Sequence, residues 1–200
     1  MFNKRGFTII ELLVVIAIIG ILASIVLTSL SGAKGKARDS RRVADIKSIQ
    51  LALSLYYNDN LMYPKNIYAL SSAGSPPNNG LAGGYLSPVP TDPSYTNNCG
   101  TAGTDPSCYR YVALTASASP ACNSTTNIPG QYHLGAILEE STNQALGGDI
   151  DQNSNSATLA GYFAGFKTCT GSGTAGFNGI STTCAASDTN STDTCFDQKP

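Results

Sequence analysis

The chain has 200 residues, with 12 basic against 13 acidic side chains and a formal net charge of −1. It has one histidine and no tryptophan, and none of its six cysteines fall in a C-x-x-C spacing, which excludes a zinc centre or a thioredoxin-like redox site built on paired thiols. The charge is uneven: from Ser48 to the end, ten acidic residues stand against four basic ones, and a basic run precedes that acidic part.

The first predicted element is the segment from Phe7 to Leu30, which is introduced by Lys4 and Arg5 and is uncharged apart from Glu11. As a helix it reaches roughly 36 Å, enough to cross a bilayer. A secretory signal peptide fits poorly, because the usual apolar core is only about 7 to 15 residues and no clear A-x-A site follows this run. A plain anchor explains the length but not Gly6 or Glu11. A buried carboxylate costs on the order of 3 kcal/mol in lipid, so its presence calls for a partner.

Lys4-Arg5-Gly6 followed by Phe7-Thr8-Ile9-Ile10-Glu11 resembles the start of type IV pilins and type II secretion pseudopilins. In those families a short basic leader ends in Gly, and Glu is the fifth residue of the mature chain. The resemblance implies that residues 1–6 are a leader and that a prepilin peptidase cuts between Gly6 and Phe7 on the cytoplasmic side and methylates the Phe7 amine. It further implies that Glu11 meets the Phe7 amine of a neighbouring subunit. Such a pair neutralises two charges that are costly in a low dielectric and sets the axial register. The bland alternative is that Glu11 snorkels to the headgroups. Positive-inside counting opposes this orientation, since Lys34, Lys36, Arg38, Arg41, Arg42 and Lys47 outnumber Lys4 and Arg5. The interleaved Asp39 and Asp45, the leader pattern and the downstream cysteines favour an outward C-terminal part.

Residues 31–58 continue the helix as an amphipathic half. Ile46, Ile49, Leu53 and Tyr56 recur at helical spacing, and "YYNDN" followed by Pro64 supplies the stop. The basic stretch "KGKARDSRR" is expected to meet the acidic heads of adjacent subunits, or anionic lipid; nucleic acid is the disfavoured partner.

Residues 59–200 form one head, rich in Gly, Ser, Thr and Asn, which predicts short strands and long loops. Strands are expected at Tyr109 to Thr115, Gln131 to Leu138 and Ala160 to Phe166, making an antiparallel sheet against the helix. The fold class is therefore α+β: a long N-terminal helix, transmembrane in its first half (residues 7–30), packed on a small antiparallel head. Tyr85, Leu86, Pro90, Asp92, Pro93, Tyr109 and Tyr111 resemble the head of the major pseudopilin more specifically, with a cysteine-bearing loop inserted.

All six cysteines, Cys99, Cys108, Cys122, Cys169, Cys184 and Cys195, follow the membrane-length run and read as disulfides of an exported domain. Proximity suggests Cys99 with Cys108 and Cys184 with Cys195, leaving Cys122 with Cys169, among 15 possible connectivities. In "DIDQNSN", Asp149, Asp151, Asn153 and Asn155 place oxygens at alternate positions, as a calcium loop does. Ser154 and Ala160 stand where an EF-hand needs Gly and Glu, so a solvated Asx-rich turn is preferred; the resemblance to major pseudopilins keeps a structural calcium as the alternative.

Catalytic readings fail. "GSGTAG" has no flanking strand and helix for dinucleotide binding, His133 has no nucleophile motif to serve, and the adjacent Glu139 and Glu140 would point to opposite faces of a strand. The expected function is a structural, non-enzymatic subunit of a type IV pilus or pilus-like filament. Its expected partners are other copies of itself, the prepilin peptidase, an inner-membrane assembly platform and, before assembly, membrane lipid. The chain would be a single-pass cytoplasmic-membrane protein first and an extracellular or periplasmic filament afterwards. The alternatives are a pseudopilin of a type II secretion or DNA-uptake machine and, from another class, a membrane-anchored extracellular binding domain.

Overall fold

A computed structural model describes residues 8–70, 75–95, 99, 107–117, 119–150, 166–169, 184 and 193–200. The chain divides into two compact units, residues 1–37 and 38–200. In the first unit, helix α1 begins at Ile9, and every described side chain from Ile9 to Leu27 is exposed. This run is apolar on all sides, and a helix of that kind belongs inside lipid or protein.

In the second unit α1 continues to Asn60 and becomes one-sided: Ile46, Ile49, Ala52, Leu53 and Tyr56 are buried. The terminus has a local cause. The Asn60 side chain donates to the Tyr56 carbonyl (2.9 Å), and Leu61 turns into the left-handed region at φ 55°, its amide bonding the Tyr57 carbonyl at 2.7 Å. A non-glycine residue in that region costs about 1–2 kcal/mol, and the Leu61 side chain is exposed, so its packing does not offset the cost. Leu61→Gly is therefore expected to be neutral or stabilising by up to about 1 kcal/mol in denaturant titration, whereas Leu61→Val should destabilise.

Strands β1 (Arg110–Thr115), β2 (Gln131–Ile137), β3 (Lys167–Thr168) and β4 (Cys195–Gln198) form one antiparallel sheet in the order β3-β1-β2-β4. β1 and β2 fall within a residue of the expected spans. Of the expected strand Ala160 to Phe166 only Phe166 lies within the described residues; β3 follows immediately after it. β4 is absent from the sequence expectation.

Alternation gives the sheet two faces. Tyr111, Ala113, Tyr132, Leu134, Ala136 and Phe196 pack with the buried stripe of α1 in the main core. Val112, Leu114 and Cys195 form a second, smaller cluster on the other face, with Cys184. Without tryptophan, tyrosines supply the large apolar bodies, and their hydroxyls reach partners: Tyr111 donates to the Pro64 carbonyl (2.6 Å), Tyr68 to the Pro90 carbonyl (3.0 Å) and Tyr109 to Asp45 (2.7 Å). Gly80 lets two loops close on each other, since an added Cβ would lie 2.7 Å from the Ile67 carbonyl oxygen.

The disulfides join Cys99 to Cys108, Cys122 to Cys169 and Cys184 to Cys195.

Candidate functional site

At the start of α1, Thr8 and Glu11 bond to each other in both directions, a pairing absent from the sequence expectation. The Thr8 hydroxyl accepts from the Glu11 amide (3.3 Å), and Glu11 reaches back to take the Thr8 amide (2.9 Å) and the Thr8 hydroxyl (2.7 Å) on Oε2. This is a capping box, and its signal is Thr-x-x-Glu directly before an apolar run. It ties Glu11 into the helix start, where otherwise orphaned amides are costly near lipid. Gly6 and Phe7 lie outside the described residues.

The basic stretch takes a different role from the expected one. Arg42 is sunk in the second unit, 3% exposed at its side chain, and gathers three carboxylates. Its Nε and Nη2 donate to Asp92 (2.8 and 3.0 Å), and its Nη1 donates to Asp39 (2.6 Å) and Glu139 (2.9 Å). Arg38 donates twice to Glu139, at 2.6 and 2.5 Å. Asp39, fully buried, also accepts the amides of Glu139 (2.9 Å) and Glu140 (3.1 Å). Arg38 and Arg42 are thus engaged inside their own head, which corrects the expectation that the whole run faces neighbouring heads. The spacing explains why: positions 38, 39 and 42 share one side of the helix, with Asp39 and Arg42 one turn apart.

The ionisation of this collar follows from its geometry. Burial works against the Arg42 charge, but the bonds and charges of Asp92, Glu139 and Asp39 outweigh it and hold the guanidinium above its ordinary range. The Arg38 hydrogen bond, with Arg42, holds Glu139 down at about 2. Because the folded value is depressed, the pair's contribution is present above the unfolded carboxylate value of about 4.3 and is lost as pH falls toward 2. Glu139 is a third exposed, so the effect, discounted for screening, is on the order of 1 kcal/mol. An acid titration of stability should therefore flatten between these values in Glu139→Gln.

The other expected sites resolve as follows. His133 is fully buried on the outer face, its Nε2 2.6 Å from Asp197 Oδ2, and burial pushes its pKa down against the bond and charge of Asp197. Asp149 is half-buried at the end of a short 3-10 helix, Gln144–Gly148. Asp151, Asn153 and Asn155 lie outside the described residues, as do Gly171, Gly173 and Gly176.

Comparison with known proteins adds to this geometry. Residues 1–27 match the prokaryotic N-terminal methylation motif, and residues 29–99 match the type II secretion system protein G family. Among relatives named type II secretion system core protein G, the one from Pectobacterium carotovorum subsp. carotovorum is 40% identical over 98 residues, covering 46% of this chain and 63% of its own length. That from Escherichia coli K12 is 41% identical over 97 residues (46% and 67%), and that from Aeromonas hydrophila is 40% identical over 97 residues (46% and 68%). The match thus spans a little under or over two thirds of these relatives. No solved structure gives a significant match. With the methylation motif at its start, the capped apolar helix behind it and relatives of this identity, the chain belongs to the type II secretion system protein G family of pseudopilins.

Proposed function

We propose that this chain is a structural subunit of a pseudopilus-type filament. It would be stored in the cytoplasmic membrane, cleaved between Gly6 and Phe7, methylated at the new amine and packed through α1 into a helical polymer with the head outside the membrane. The observation that carries the reading is the pairing, in one helix, of an apolar half whose described side chains are exposed with a half that packs into a folded head. The apolar side chains described in that half are exposed, so burying them requires lipid first and other subunits afterwards.

The type II secretion relatives favour a pseudopilin over a surface pilus, so the general pilus expectation narrows to this alternative. Glu11 fits the assembly role: Thr8 occupies its Oε2, and among the described residues Oε1 accepts nothing, which leaves an oxygen for an amine from the next subunit. The test is the N-terminal mass of the protein from cells holding the peptidase and the assembly machine. A mature chain starting at methylated Phe7 and recovered in sheared filaments is expected. An intact Met1 in recovered filaments would overturn the reading.

A further inference from the structure

The stretch matched by the protein G family ends at residue 99, and all three disulfides lie at or beyond that point. What holds the remainder together lies outside the stretch matched to that family, apart from Cys99 at its last residue. Two of the bonds are local, with sequence separations of 9 and 11. The third, Cys122–Cys169, spans 47 residues and has both cysteines in the main core. It fastens the weakest strand. β3 has only two residues, paired with Leu114 and Thr115, plus one further bond from the Cys169 amide to the Ala113 carbonyl (2.8 Å). So short an edge strand is not stable by itself, and a cross-link across a long loop constrains the unfolded chain most. Cys122 is positioned for its partner by the connection between β1 and β2, where the Asn123 side chain accepts the amides of Thr125 (2.9 Å) and Thr126 (2.7 Å) and fixes the turn.

We propose that closure of the head is conditional on oxidation of Cys122 and Cys169, so that the chain is the substrate of a disulfide-donating oxidant outside the cytoplasmic membrane before it enters a filament. In that step the two thiols release two protons and two electrons and form the Cys122–Cys169 bond. The oxidant's disulfide takes up both electrons and both protons and leaves as a dithiol. Reduction leaves β3 with its few backbone bonds and frees the β1 edge at Leu114 and Thr115. Only the timing relative to the filament rests on the function proposed above.

The test uses the full chain in detergent, as a monomer. Limited proteolysis is followed while a thiol reductant is titrated in, and newly alkylated cysteines are mapped by mass spectrometry. Cleavage is expected to rise by roughly tenfold or more at the step where Cys122 and Cys169 become alkylatable. Cys122→Ser/Cys169→Ser should be cleaved fast without reductant, and Cys99→Ser/Cys108→Ser should stay close to wild type. A cleavage rate that does not change when Cys122 and Cys169 are alkylated would overturn the proposal, whatever the serine variants do. So would recovery of filaments with those two thiols free. If the oxidised monomer resists protease yet no filament forms under the assembly machine, the filament reading fails and this inference stands.

Discussion

Arg42→Ala is expected to destabilise the head by about 3–5 kcal/mol, the largest loss of any single substitution in the collar. The reason is what remains after truncation. Asp39 is fully buried and Asp92 nearly so; without the guanidinium, backbone amides remain to hold them, those of Glu139 and Glu140 on Asp39 and that of Ser94 on Asp92. The cost is thus the penalty of stranding buried charge rather than the worth of one hydrogen bond. Arg42→Lys should fall between, because an ammonium cannot present the planar fork that meets Asp92 twice while also reaching Asp39 and Glu139. Arg38→Ala is the control: that pair is more than a third exposed and should cost far less than Arg42→Ala. Denaturant titration of the full chain in micelles, read by tyrosine emission, measures all three. A loss below about 1 kcal/mol for Arg42→Ala would mean the carboxylates are held by something other than this arginine.

The collar also shows where the sequence is legible. The buried stripe Ile46, Ile49, Leu53, Tyr56 reads directly from helical spacing, and β1 and β2 from alternation, because in both cases one face is buried and the period records it. The destination of Arg38 and Arg42 does not read out, because Asp92 and Glu139 are 50 and 97 residues from Arg42 and periodicity carries no long-range pairing. β4 escaped for a related reason. "CFDQ" places an aspartate on a buried face, which looks polar until His133 is brought to within 2.6 Å of it. A buried polar pair erases the hydrophobic signature of the strand that carries it. The Thr8–Glu11 cap is legible in the sequence, since the capping-box spacing is local, and it gives Glu11 hydrogen bonds within its own helix besides any charge pair with an amine.

Those two roles of Glu11 make opposite predictions for one conservative change. Gln at the same position keeps an oxygen that can accept from the Thr8 amide and hydroxyl, so the capping box survives, while the charge is gone. If filament growth depends on pairing with the Phe7 amine of the next subunit, Glu11→Gln should assemble as poorly as Glu11→Ala, at least roughly tenfold below wild type, because an unpaired ammonium would then sit in a low-dielectric bundle. Thr8→Val separates the roles from the other side: it removes the hydroxyl from the cap, costs the helix start about 1 kcal/mol, keeps the carboxylate and should still yield filaments. Membrane insertion should be unchanged in all three variants, because the apolar run from Leu12 to Leu30 is untouched. Quantifying sheared filaments against total membrane-bound chain gives the answer. Wild-type yield from Glu11→Gln with a deficit in Thr8→Val would assign Glu11 to the helix cap and remove the inter-subunit charge pair from the assembly mechanism.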